Sequence, residues 1–214
     1  MGLDGRLWVG ALAAPMLPGC GGSSHNTTTA TTSAPATTAS TATTTSTPTS
    51  GIASHVLISH ELPAGFTGSE PSVDNTINGW LADSQTPSNQ VASETKRLTR
   101  LGFVAGAREN LTGPEGRSGV SIAEQFKALG GVRSEFANEV KVFKATVTTG
   151  YKAFAVTGIP GALGLADTAA PAVNVAFTSG DYYYLVGAFV SAVTVSSETA
   201  IIAAASRLYQ RVHG

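Results

Sequence analysis

The sequence predicts an α+β domain in which a largely antiparallel sheet of about five strands carries three or so helices packed mainly on one face. Three observations predict it. Residues 173–178 and 182–189 are strand-like runs joined by Ser179-Gly180-Asp181, the strongest hairpin signal in the chain. Three segments, beginning at Ser88, Leu129 and Ser196, place apolar residues at helical spacing. The order of these pieces, helix, hairpin, helix, three strands, helix, sets most strands beside their sequence neighbours, which favours antiparallel pairing.

Taken in order, residues 52–66 open with the apolar patch Val56-Leu57-Ile58, read as a first strand or extended lead-in ending at Leu62-Pro63-Ala64-Gly65-Phe66. Residues 74–82 form a short helix that brings Ile77, Trp80 and Leu81 to the core, with Trp80 as an anchor. Pro87 breaks the chain, and Ser88 is placed to cap a helix reaching Leu101. Val91, Thr95, Leu98 and Leu101 share its inner face, Lys96, Arg97 and Arg100 crowd its C-terminal half, and Gly102 ends it.

A strand at 103–111 and another at 120–126 flank the turn 113–119. Ser121-x-x-Glu124 also fits a capping box, but Gly130-Gly131 would interrupt the helix it opens, so a strand is preferred. Leu129, Val132, Phe136, Val140 and Phe143 make an amphipathic stripe, with Arg133, Glu135, Glu139, Lys141 and Lys144 off it. Residues 151–157 read as a strand and 158–164 as a Gly-rich loop. After the hairpin, the last helix carries Ile201, Ala205, Leu208 and Val212 inward, and Arg207 and Arg211 complement its C-terminal dipole.

Of 214 residues, those from Gly51 onward are foldable into one core. The net charge of -1 is spread without blocks of either sign, which argues against a nucleic-acid surface. A single cysteine, Cys20, excludes an intramolecular disulfide and a multi-cysteine zinc site.

That cysteine closes Leu17-Pro18-Gly19-Cys20, at the end of the apolar run Leu7-Trp8-Val9-Gly10-Ala11-Leu12-Ala13-Ala14-Pro15-Met16-Leu17. The run has signal-peptide length and falls short of the roughly 20 residues needed to span a bilayer. Residues 1–19 are therefore expected to be a signal peptide. Its n-region is weak, since Asp4 offsets Arg6. Leu17, Gly19 and Cys20 resemble the bacterial lipobox, although Pro18 stands where a small or aliphatic residue is usual. The resemblance implies diacylglycerol on the Cys20 thiol, cleavage before it, and anchorage to the outer face of the cell membrane. Two acyl chains suffice for stable anchoring where one does not.

From 21 to 50 the chain is almost wholly Thr, Ser, Ala and Pro; Ser and Thr make up nineteen of the thirty residues. With no formal charge, and no apolar side chain larger than Ala except Pro, the stretch has nothing to bury, so sequence alone predicts a disordered tether. A flexible coil of this length would hold the domain on the order of 30 Å from the membrane. Such tracts after a lipobox are similar to the spacers of actinobacterial lipoproteins, which implies an envelope location and allows O-glycosylation. The remaining domain loosely resembles PsbP-like lipid-anchored envelope domains, a likeness of layout that carries no functional residue.

Catalytic patterns are weak. Ser93-Glu94-Thr95-Lys96 has the Ser-x-x-Lys spacing, but Lys-Thr-Gly is absent and Ser-x-Asn occurs only as Ser24-His25-Asn26 in the tether. His55 and His60, five apart, suit neither one helix face nor one strand face and read as surface imidazoles; His213 sits at an end expected to fray. Gly158, Gly161 and Gly164 lead into loop and strand, unlike a phosphate-binding turn. In Tyr182-Tyr183-Tyr184, alternation turns Tyr183 away from its neighbours. With one face covered by helices, at least one ring would face solvent as a contact surface.

The expectation is thus a lipid-anchored, non-enzymatic binding or structural domain with no cofactor, no metal and no nucleic-acid partner. It meets the membrane through Cys20 and takes a protein, glycan or lipid partner. The alternatives are a carrier of an apolar ligand between sheet and helices, and an extracytoplasmic hydrolase.

Overall fold

The computed structural model describes residues 51–147 and 150–214. The expected signal peptide at 1–19, Cys20 and the tether at 21–50 lie outside the described residues.

The centre is one antiparallel sheet of eight strands. In chain order these are β1 (Thr67–Gly68), β2 (Ser72–Asp74), β3 (Phe103–Thr112), β4 (Ser118–Phe126), β5 (Tyr151–Ala155), β6 (Leu163–Asp167), β7 (Ala172–Ser179) and β8 (Tyr182–Phe189). The spatial order is β1-β3-β4-β8-β7-β6-β5, with β2 also on the outer edge of β3. Four helices complete the described residues: α1 (Ile77–Asp83), α2 (Ser88–Leu101), α3 (Leu129–Thr146) and α4 (Val195–His213). A 3-10 turn at Gly51–His55 leads in.

The α+β class and the antiparallel sheet stand, but the strands and helices outnumber the expectation. Three of the additional strands have clear reasons for escaping notice. β1 and β2 are two and three residues long and take their pattern from β3, against which they lie. β6 reads Leu-Gly-Leu-Ala-Asp, and its small residues gave the look of a loop. It is sandwiched between β5 and β7, and Gly164 there leaves room for the Phe154 ring: a Cβ would lie 2.1 Å from that ring's Cε2. Val56-Leu57-Ile58 forms no strand, although Val56 and Leu57 are fully buried.

Helices cover both faces, not mainly one. Trp80 and Leu81 of α1, Leu98 of α2, and Val132 and Phe143 of α3 pack on Phe103, Val120, Ile122, Phe126, Tyr183 and Leu185 of the sheet. On the reverse face α4, through Ile201, Ala204, Ala205 and Leu208, joins Ile52, Val56 and Leu57 over Val173, Val175, Phe177 and Tyr184. A sheet buried on both sides explains why β7 and β8 are apolar at successive positions instead of alternating. The helix α3 makes the connection between the β3–β4 hairpin and the β5–β8 meander, and β4 pairs with β8 to join the two halves.

Local chemistry sets the helix boundaries. Thr194 and Ser197 form a reciprocal capping box at the start of α4. Gly102 adopts the left-handed conformation (φ 76°) at the end of α2, donating its N–H to Leu98 and Thr99 carbonyls. Ser88 is the first residue of α2 and not its cap; Pro87 holds that position with no side-chain bond. The Trp80 indole lies flat against Gly106 of β3, where an added Cβ would come within 2.4 Å of the ring.

Candidate functional site

The polar feature that stands out is buried under the helices on the α1–α3 face. Strand alternation puts Glu124 of β4 on this face with Val120, Ile122 and Phe126. Directly opposite Glu124 on β8 stands Tyr183. From above, α3 contributes Glu135 and Glu139, and α2 contributes Glu94 and Arg97. Glu135 is 0% exposed, and Glu124, Glu139 and Tyr183 are each 2% exposed.

Glu135 and Glu139 were expected off the buried stripe of α3, and here the structure corrects the sequence. The helix presents Val132, Glu135, Glu139 and Phe143 inward, while Leu129, counted in the stripe, is 54% exposed. The reason lies on the neighbouring helix. Arg97 donates from Nη1 to Glu135 Oε2 and from Nε to Glu94 Oε2 at 2.8 Å, so α2 covers the flank of α3 that carries its acids.

Four carboxyl groups therefore share one guanidinium. Burial works against the Arg97 charge, but Glu135, with Glu94 and Glu139, outweighs it and holds the guanidinium firmly protonated. Burial, reinforced by Glu135, pushes Glu124 up to about 8, even though Trp80 Nε1 donates to its Oε1 at 2.7 Å. Glu139 is raised well above its ordinary value by burial first and then by Glu135. Both shifts favour the neutral, protonated acid. Burial first, and then the acidic groups of Glu139, Glu124 and Glu135, likewise raise Tyr183 and keep its phenol neutral.

The set is incompletely satisfied. Glu124 Oε2, Glu135 Oε1, Tyr183 Oη and Arg97 Nη2 are all buried without a hydrogen-bond partner. Each such atom costs about 1–3 kcal/mol. The four belong to side chains that act on one another electrostatically, in a core of the kind where most polar groups are paired. Glu94 and Arg97 are the members of the cluster nearest solvent, with side chains 21% and 12% exposed.

A second polar assembly, on the reverse face, is fully engaged. Arg211 of α4 grips Glu61 through Nε–Oε1 at 2.7 Å and Nη2–Oε2 at 2.8 Å, and also donates to the carbonyls of Ser54 and Val56. Arg207 donates to the carbonyls of Glu61 and Leu62. These contacts fasten residues 54–62, close to the start of the described residues, to the last helix. Beside them burial pushes Glu109 up to about 8, with Glu61 as the next cause.

Of the residues singled out in the sequence, Tyr182, Tyr183 and Tyr184 do not line a common exposed surface. Tyr183 lies beneath Phe136, ring centroids 6.5 Å apart, and Tyr184 is 1% exposed and stacks on Phe177. With both sheet faces covered, no face is left for a platform; only Tyr182 is part-exposed. His55 is not a surface imidazole either. It stacks on Tyr182 at 4.0 Å and bonds Tyr184 Oη through Nδ1 at 2.7 Å, and burial, followed by Arg211, lowers its pKa. His60 is exposed. His213 belongs to α4 rather than to a frayed end, stacked on Tyr209 and within 3.2 Å of Ser179 Oγ.

Ser93 donates its hydroxyl to the Gln90 carbonyl of its own helix at 2.8 Å, and both it and Lys96 face solvent. Gly158 and Gly161 take left-handed turn conformations and Gly164 enters β6. Cys20 lies outside the described residues. Among the described residues no three His, Cys, Asp or Glu side chains are placed to hold a metal ion, and no helix is long and apolar enough to cross a membrane.

No protein-family model matches this chain, and neither a curated protein sequence nor a solved structure does.

Proposed function

We propose that the chain is an exported lipoprotein, anchored to the outer face of the cell membrane through Cys20, whose domain binds a ligand without transforming it. The lipobox-like Leu17-Pro18-Gly19-Cys20 and the thirty-residue Thr/Ser tract support the anchor. The observation that carries the binding role is the polar cluster under α2 and α3, where Glu124 Oε2, Glu135 Oε1, Tyr183 Oη and Arg97 Nη2 are buried without hydrogen-bond partners. Binding groups are present there, and a nucleophile activated by a base is not part of the arrangement: Ser93, the one residue with a catalytic spacing, is turned outward and bonded to its own helix. The cluster favours a polar ligand over the apolar cargo that a helix–sheet carrier would hold, since the surrounding apolar side chains are packed against one another.

Membrane fractionation tests the anchor. The native chain is expected with the membranes and Cys20→Ser in the soluble extracytoplasmic fraction; a variant that remains membrane-bound after export overturns it. Native mass spectrometry of the protein drawn from its own membranes tests the binding role, with a stoichiometric polar adduct expected and a bare chain overturning it.

A further inference from the structure

The two edges of the sheet end differently. Beyond β3 lie only β1 and β2, two and three residues long, and strands that short offer little to a further strand. At the other edge β5 runs for five residues, and among the described residues nothing pairs with its outer side. It carries none of the usual guards of an edge. It has no proline, it pairs with β6 without a bulge, and its one charge, Lys152, is drawn back onto α4, where Nζ meets Glu198 Oε1 at 2.5 Å. Lys152, Ala153 and Ala155 are exposed.

The ladder to β6 fixes which backbone groups face out. Thr168 donates its N–H to the Gly150 carbonyl at 3.0 Å, one step before the Tyr151–Asp167 pair. Bonding alternates along an antiparallel ladder, so Lys152 and Phe154 direct their N–H and C=O groups to Ala166 and Gly164. Those of Tyr151, Ala153 and Ala155 point away from the sheet.

We propose that this edge pairs with the same edge of a second copy, antiparallel about a two-fold axis through Ala153. The residues with outward backbone groups then meet one another. Tyr151 faces Ala155 of the second copy and Ala153 faces its own counterpart, each pair exchanging both N–H···O bonds. The side chains suit the same axis. On the α4 side, where Phe154 packs into the core, Lys152 of one copy falls beside the Phe154 ring of the other. On the α3 side the Tyr151 ring, held against Phe143, falls beside the small Ala155. No charge meets its like, because Lys152 is the one charged residue of the strand and lies off the axis. An unrelated peptide would have to supply this match, whereas a second copy carries it by symmetry. The pairing is independent of the ligand-binding role and of the anchor. With five residues a side, against about 20–30 in a standard interface, it is expected to be reversible, with a Kd on the order of 10–100 μM.

Sedimentation equilibrium of the full chain carrying Cys20→Ser, so that no acyl group adds association, reads the dimer between about 5 and about 500 μM. Ala153→Lys sets like charges face to face on the axis, and Ala153→Asp does so with the opposite sign. Each alone is expected to weaken the dimer about tenfold or more. Mixed in equal amounts, the two variants are expected to associate again, since position 153 then meets its opposite charge. Ala153→Pro removes an outward N–H and leaves the β6 ladder whole, so it is expected to abolish the dimer with the circular dichroism unchanged. A chain that stays monomeric across the range overturns the proposal. So does a dimer indifferent to Ala153→Lys, or a mixture of the two charged variants that stays apart. Photo-crosslinking from position 153 in native membranes is expected to join the chain to itself; a product with a different protein alone overturns the second copy as occupant.

Discussion

Trp80 donates its indole N–H to Glu124 Oε1 at 2.7 Å, inside a helix–sheet interface where both side chains are buried. The bond ties α1 to β4 and fixes one carboxyl oxygen of Glu124. Its other oxygen, across from Tyr183, has no partner. The Glu124 carboxyl is thus held at one end and left without a partner at the other.

Stability is expected to fall as pH rises through the neutral range. Glu124 titrates near 8 in the fold against 4.5 for an exposed glutamate, so the native state holds a proton that the unfolded chain has released. The contribution is fully present below about pH 4.5 and is lost as pH climbs through about 8. Glu109, also near 8, acts in the same direction. Urea midpoints measured across that window should decline, and Glu124→Gln, which mimics the protonated acid, should flatten the decline.

Arg211→Ala is expected to cost about 3 kcal/mol, because it leaves Glu61, 2% exposed, without its bidentate partner and frees the carbonyls of Ser54 and Val56. Arg211→Lys should recover less than half, since an ammonium cannot reproduce the fork. Limited proteolysis reads the same event locally: residues 51–66 should become cleavable in the alanine variant while the sheet stays protected.

Gly106→Ala should destabilise by about 2–3 kcal/mol. Its Cβ would stand 2.4 Å from the Trp80 ring, which must then shift and loosen its hold on Glu124. A loss of near-ultraviolet circular dichroism from Trp80 would accompany the lower urea midpoint.

Asn174 on β7 is 0% exposed with both amide atoms unpartnered, facing Gly187 on β8. Asn174→Leu, close in shape and without the polar atoms, is expected to raise stability by about 1–2 kcal/mol in thermal or urea unfolding. An unchanged or lowered midpoint would show that the amide is satisfied in solution.

The sequence alone determined the kind of fold. Hairpin turn chemistry at Ser179-Gly180-Asp181, helical spacing in α2, α3 and α4, and Gly102 as a left-handed terminator are local properties, set by backbone sterics and side-chain periodicity within a few residues. The placement of Cys20 and the composition of residues 21–50 are equally readable in one dimension, and they carry the expectation of an anchor.

Only the tertiary structure decided which polar residues are buried. Glu135 and Glu139 look like the wet side of α3 until Arg97, 38 residues earlier than Glu135 in the chain, covers them from the adjacent helix. Glu124 reads as one polar residue in a strand, and its opposition to Tyr183 depends on the pairing of β4 with β8, 59 residues apart at that register. The tyrosine run looked like a surface because nothing in its own residues reveals that α4 and the lead-in segment close the second face of the sheet. Burial is a property of what packs against a residue, and for this buried cluster the covering groups come from distant parts of the chain.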